Sequence, residues 1–133
     1  MADTVTTKVL HGGTSTKRYI IQITNKSDGT GEANVVKVDM SALTNSLGAV
    51  PTSLVMEEIN FNVYGFNYVS LEYDKTVTDE TIAVLKGNGY LNYEDVGGFH
   101  PTSAAGSNDI LLSTSCGAAG SGYDIVLSIR LKP

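Results

Sequence analysis

The sequence predicts an all-β protein: a single-domain antiparallel β-sandwich of jelly-roll-like topology, with roughly eight or nine short strands. The first observation behind this fold class is that short apolar runs recur about every ten residues, between turns of Gly, Asn, Asp and Ser. The second is the strict alternation of the last run, which places five apolar side chains on one strand face: Tyr123, Ile125, Leu127, Ile129 and Leu131. No internal repeat of fixed period is present, which argues against a solenoid or a propeller.

The runs rich in β-branched, aliphatic and aromatic residues predict the individual strands. In chain order they are Val5–Leu10, Lys17–Thr24, Val35–Val38, Leu54–Val63, Tyr68–Tyr73, Ile82–Leu85, Tyr90–Tyr93, Asp109–Thr114 and Tyr123–Leu131. Between Val38 and Leu54, the stretch Asp39–Leu43 predicts one turn of helix, capped by Asp39 or Ser41.

Three turn-rich connections predict pairing between the runs that flank them. Tyr64–Asn67 predicts a hairpin, and Gly87–Gly89 suits a tight connection because glycine and asparagine tolerate positive φ. The loop Gly117–Gly122 predicts that the last two strands also pair.

The length of 133 residues predicts one domain, 1–133, with a flexible N-terminal segment of about residues 1–16. Only 17% of the residues are charged, below the usual quarter, which indicates that part of the surface is covered. A formal net charge of −5 argues against binding to nucleic acid, because such affinity comes largely from Lys and Arg.

We expect no membrane partner, since no apolar run approaches the ~20 residues of a membrane helix. The first residues contain neither a basic region nor an apolar core typical of a secretion signal, so we expect folding in a cytoplasm. Cys116 is the single cysteine and has no neighbouring basic residue, so we interpret it as an inert loop or strand-end thiol.

No residue pattern predicts catalysis, a metal centre or a cofactor. His11 and His100 lie in separate glycine-containing loops without metal-ligand spacing. The chain contains no Gly-x-Ser-x-Gly elbow, and Glu57 and Glu58 would point to opposite faces of a strand. A hydrolase would need a carboxylate pair or a metal site that only folding assembles.

Two acidic positions leave alternatives open. Glu57 interrupts an apolar strand face, so it lies either at the exposed end of the strand or buried beside Arg18 or Arg130. The loop Asp28–Glu32 has oxygen donors at alternating positions, so it is either a Ca²⁺ site or a surface turn closed by Asp28.

The aromatic residues of the middle third also have two interpretations. Seven tyrosines and no tryptophan are present. They either form the core of the sandwich with hydroxyl groups at its rim, or belong in part to a protein-binding patch, where tyrosine is enriched.

Four stretches together resemble small structural proteins of tailed bacteriophages, of the kind that decorate or cement the capsid. They are the opening Met-Ala-Asp-Thr-Val-Thr, the run Ile23–Glu32 leading into Val35–Asp39, the segment Gly87–Tyr93, and Asp109–Thr114. The resemblance spans nearly the whole chain and rests on turns and strands.

The resemblance implies a non-enzymatic virion structural protein on the capsid surface, made in the bacterial host cytoplasm. Its partner would be the major capsid protein, whose neighbouring subunits it would bridge, and it would form a homo-oligomer, most often a trimer. The expected partner-binding residues are in the N-terminal part and the aromatic loops: Val5, His11, Tyr64, Phe66, Tyr68, Tyr90, Tyr93 and Phe99.

The alternative is a phage tail or adaptor component, or a host-surface adhesin that binds carbohydrate. Exposed aromatic rings beside Asn and Asp side chains would serve that role. Asn60, Asn62, Asn67 and Tyr68 are the first candidates for such contacts.

Overall fold

The structure, a computed structural model, describes residues 3–115 and 117–133. Those residues form nine strands and two short 3₁₀ helices. The strands are β1 (Thr4–Gly12), β2 (Arg18–Asp28), β3 (Val35–Val38), β4 (Ser53–Tyr64), β5 (Tyr68–Tyr73), β6 (Glu80–Leu85), β7 (Asn88–Asn92), β8 (Ile110–Ser115) and β9 (Ala119–Lys132), and the 3₁₀ helices are Met40–Ala42 and Glu94–Val96. Cys116 lies outside the described residues, so its predicted inertness stays a prediction.

Two antiparallel sheets form the sandwich, which confirms the predicted fold class. One sheet has five strands in the order β1-β2-β9-β4-β7, and the other has four in the order β3-β8-β5-β6. The pairs nest along the chain: β2 pairs with β9, β3 with β8, β4 with β7, and β5 with β6. A long hairpin rolled onto itself gives this nesting, which is the jelly-roll-like arrangement.

The three predicted pairings across turns are wrong. β4 and β5, β6 and β7, and β8 and β9 each lie in different sheets, so the connections between them cross the sandwich. The adjacent pairs that do share a sheet are β1 with β2 and β5 with β6. An apolar strand face buries equally well beside a sheet neighbour or beneath the opposite sheet, so alternation alone does not distinguish the two.

The core fills the space between the inner faces of the two sheets. β9 contributes its whole predicted face to that core. From the other strands, Ile21, Ile23, Ile59, Leu71 and Leu112 are fully buried against it. The turn before β4 also forms as predicted, because the carboxylate of Asp39 accepts a hydrogen bond from the Ser41 backbone amide at 3.0 Å.

Much of the segment predicted to be flexible is a strand. β1 pairs with β2 from Thr4, opposite Lys26, to Gly12, opposite Tyr19, with an irregularity between Val9 and His11. Alternating Thr and Val residues favour the extended conformation, and β2 offers a free edge for pairing. β1 is therefore the outermost strand of the five-stranded sheet.

Glu57 is buried, which confirms the second of its two interpretations. The pairing of β4 with β9 shifts between Met56 and Glu58, and this bulge leaves Glu57 as the extra residue. Glu57 is only 3% exposed. Its carboxylate accepts a hydrogen bond from Nε of Arg18 at 2.8 Å and lies 3.8 Å from Nη1 of Arg130. The hydrogen bond to Glu57 and its negative charge raise the pKa of Arg18.

Replacing Arg18 tests whether this ion pair contributes to stability. We expect R18M to lower the free energy of unfolding by about 1–3 kcal/mol, because a buried carboxylate would lose its closest charged donor. Urea unfolding at pH 7 measures the change, and K17M at the adjacent exposed position is the matched control. Equal stability of R18M and K17M would contradict a stabilising role for the pair.

Candidate interaction surface

The part of the chain that the structure describes, residues 3–115 and 117–133, contains no enclosed binding site. They form no pocket and no group of three acidic, histidine or cysteine side chains placed to hold a metal ion. No helix among them is long and apolar enough to cross a membrane. Among the described residues, contacts with a partner would therefore form on exposed faces and strand edges.

The loop Asp28–Glu32, for which the sequence allows either a Ca²⁺ site or a surface turn, presents hydrogen-bond donors to a carboxylate. Oδ1 of Asp3 accepts from the backbone amides of Asp28 and Gly31, both at 3.2 Å, and from Oγ of Ser27 at 2.9 Å. Asp28 closes its own turn by accepting from the Thr30 amide at 3.0 Å. Asp28 thus closes the local turn that the surface-turn interpretation predicted, and the amides of this loop are directed at an anion.

The Asp3 carboxylate fixes the start of β1 to this end of the sandwich. Burial raises the pKa of Asp3, but hydrogen bonds from Asn25, Gly31, Ser27 and Asp28 outweigh it and lower the pKa to about 2. Because the pKa of Asp3 is lower in the folded state than in the unfolded state, the ionised carboxylate stabilises the fold. This stabilisation is present above about pH 4 and is lost as the pH falls toward 2.

The pH dependence of a neutral variant tests this anchor. We expect D3N to lower the free energy of unfolding at pH 7 by about 1 kcal/mol, since a partly solvated carboxylate contributes less than its full linkage energy. The difference from the native protein should vanish near pH 2, where Asp3 itself becomes protonated. Urea titrations at pH 7, 4 and 2 measure it, and a difference that is independent of pH would refute the assignment.

Three of the predicted contact residues pack inward. Phe66 is only 6% exposed and lies against Tyr123, with ring centroids 6.4 Å apart, so it is a core residue of this chain and offers no free surface. Tyr93 and Phe99 are half-buried and meet edge to face at 5.6 Å. Their loop follows β7 and returns to the five-stranded sheet, where the Phe99 amide donates to the Met56 carbonyl at 2.8 Å. Phe66 is therefore part of the core, and Tyr93 and Phe99 pack against it.

The other predicted contact residues are exposed, but the fold does not bring them together. Tyr64 and Tyr68 flank the β4–β5 connection at one end of the sandwich. Tyr90 lies on β7, opposite Asn60 on the outer face of the five-stranded sheet. Val5 and His11 are on β1.

Several exposed apolar side chains lie on the edge strands β1 and β3 of the sandwich. Short connections join β4 to β5, β6 to β7 and β8 to β9, so the two sheets lie over each other with β2 above β3. β1 therefore projects beyond β3 at the same edge. The exposed apolar side chains there, which we name the apolar rim, are Val5, Val9, Leu10, Val35 and Val36.

Register explains why the rim is apolar and yet exposed. Val5 and Val9 pair with Asn25 and Ile21, both buried, so they point to the core side of the sheet. They nevertheless remain exposed, Val9 at 52%, because β1 projects past the last strand of the opposite sheet. Sequence reasoning identified Val5 alone of this group. The consecutive apolar pair Val9-Leu10, which follows three threonines and a lysine in the same strand, was the available signal.

The fold therefore defines the chain as a jelly-roll-like β-sandwich with an open, apolar lateral edge. No protein-family model matches the chain, and no curated protein matches it.

Proposed function

We propose that this protein is a non-enzymatic bacteriophage virion structural protein that binds the outer capsid surface and bridges neighbouring major capsid subunits. The observation that supports this proposal most directly is the apolar rim. Uncovered valines on a free strand edge of a jelly-roll-like sandwich favour a role in which a partner covers that edge in an assembly. The likeness of its turns and strands to capsid decoration proteins supports the same role.

Edge pairing is the binding mode that the rim fits best. A free edge strand can accept a further strand through backbone hydrogen bonds, while alternate side chains contact the partner's surface. On β1 those alternate side chains are Val5 and Val9, and a partner strand laid beside them would shield both from water. In this proposal the partner strand belongs to the major capsid protein.

The small size of the rim fits a cementing role. Five partly exposed side chains bury too little area for a tight isolated complex, which needs more than about 1,000 Å². A shell offers many identical sites in fixed positions, and a homo-oligomer, most simply a trimer, would engage several at once. Linked weak contacts then give a stable coat.

Binding of a charged rim variant to shells tests the proposal. We expect V9D to bind expanded, DNA-free capsids of the virus that encodes the protein more than about tenfold more weakly, because burying a valine is worth about 1.5 kcal/mol or more. Cosedimentation measures affinity, and cryo-electron microscopy counts bound copies at symmetric positions. V77D is the control, since Val77 is 94% exposed in the β5–β6 loop.

Two results would contradict the proposal. Native protein that leaves the shells bare would exclude capsid binding, and V9D that binds as well as V77D would exclude the apolar rim as the contact. Urea unfolding of both variants shows whether each is folded, and the native solution mass gives the oligomeric state.

A second candidate, binding to host-surface carbohydrate, is favoured by one observation. Asn60 lies between Tyr90 and Val126, and Asn62 lies between Asn88 and Asp124, on the outer face of the five-stranded sheet. Amide groups beside an exposed tyrosine ring are able to hydrogen-bond and stack on sugars. Asn60 and Asn62 share this exposed face, whereas Asn67 lies on the β4–β5 connection and Tyr68 at the start of β5.

A glycan array with native protein and Y90A tests the second candidate. We expect a carbohydrate-binding face to give a signal that falls more than about tenfold in Y90A, since stacking on the ring and its area would be lost. V84A serves as the control because Val84 is exposed on β6, in the other sheet. Native protein without signal on the array would exclude this candidate.

A further inference from the structure

One lysine lies inside the sandwich end, beside a carboxamide and a carboxylate. Lys75 follows β5 and is only 5% exposed. Its Nζ lies 2.6 Å from Oδ1 of Asn108, which precedes β8, and 4.0 Å from Oε1 of Glu80 at the start of β6. An amine, an amide carbon and a carboxylate are thus grouped where water has little access.

We propose that Lys75 and Asn108 form an intramolecular isopeptide bond, with Glu80 as the proton-transfer group. The hydrogen bond from Nζ to Oδ1 already directs the lysine toward the carboxamide group whose Cγ it would attack. The inference is independent of the proposed capsid role, because it concerns a covalent bond within one chain.

The reaction balances without an oxidant or a cofactor. Glu80 accepts a proton from the Lys75 ammonium, and the free amine attacks Cγ of Asn108 to form a new C–N bond. The Glu80 acid returns its proton to Nδ2 of Asn108, and the bond from Cγ to Nδ2 breaks. The departing ammonia takes the second proton from the Lys75 nitrogen and leaves as ammonium. The product is a secondary amide that joins the two side chains.

Backbone structure around the group holds the two reacting residues together. β5 and β8 are neighbours, and beyond their ends the Asp74 amide donates to the Asp109 carbonyl at 2.8 Å while the Asn108 amide donates to the Asp74 carbonyl at 3.1 Å. Gly106 passes so close that a Cβ there would lie 2.5 Å from Cα of Lys75. These contacts fix Lys75 and Asn108 before any reaction occurs.

The backbone of Asn108 is itself in an unusual conformation. Its φ of +59° is left-handed, a region that side-chain-bearing residues seldom occupy and that surrounding structure must maintain. That conformation places its carboxamide at Lys75. The amine also donates to the carbonyls of Thr102 at 3.0 Å and Ala104 at 3.2 Å, so two of its hydrogen bonds hold it in place and the third meets the reacting group.

Glu80 is positioned by the same loop. Its Oε1 accepts a hydrogen bond from the Thr102 amide at 2.8 Å, and the Thr102 carbonyl accepts from Lys75. Thr102 thus binds both groups, the carboxylate through its amide and the amine through its carbonyl. The cross-link would close the chain between residues 75 and 108, a stretch that includes β6 and β7.

Mass spectrometry of the intact, denatured full-length protein tests the proposal. We expect a mass lower than that of the sequence by one ammonia molecule, with the same loss absent from K75M and N108A. Digestion with trypsin localises the bond, because a cross-linked Lys75 resists cleavage. The fragment containing Lys75 should then remain attached to the fragment that begins after Lys86 and contains Asn108.

The native protein decides the outcome, so the test does not depend on the variants folding. A native protein of full mass, cleaved normally after Lys75, would overturn the proposal and leave Lys75 as a buried ammonium that anchors the loop. The role of Glu80 is tested separately by E80Q, for which we expect a cross-linked fraction at least tenfold lower. An E80Q protein that is cross-linked as fully as the native one would overturn that assignment.

Discussion

The pairing of β9 with β2 on one side and β4 on the other is the constraint on which the rest of the structure depends. Its register runs from Gly122 to Lys132 against β4 and from Ala119 to Arg130 against β2. A shift of one residue would turn its five buried apolar side chains to solvent, so burial selects a single register. That register brings Arg18 beside Arg130 and opens the bulge that contains Glu57.

Charged side chains, two of them buried and one partly solvated, then hold loops and strand ends to this frame. Glu57 joins β4 to Arg18 and Arg130, Asp3 joins the start of β1 to the β2–β3 loop, and Lys75 joins the β5 end to the long loop before β8. Removing a charge from water is unfavourable unless hydrogen bonds or an opposite charge compensate it. Glu57 and Lys75 have both kinds of contact, and Asp3 accepts several hydrogen bonds. Polar contacts therefore order the loops that an apolar core alone would leave loose.

The sequence predicted the positions of the strands better than it predicted which strands pair. The alternation in β4, β5 and β9 located those strands within a few residues, and the Asp39 cap was also found. The three predicted strand pairs failed because inward-facing side chains meet the core in the same way in either sheet. For the candidate surface, Tyr64, Tyr68 and Tyr90 are exposed as expected, but Phe66 is core, because aromatic composition does not specify which side of a turn the ring faces.

The sequence by itself determined the all-β class, the positions of nearly all strands and the presence of one wholly apolar face on β9, because these follow from local periodicity and turn chemistry. Tertiary structure alone decided the nested pairing, the burial of Glu57 and the projection of β1 beyond β3, which leaves the apolar rim uncovered. It also brought Lys75 to Asn108 across 33 residues. Those features depend on contacts between distant segments, whose geometry is set only when the two sheets close on each other.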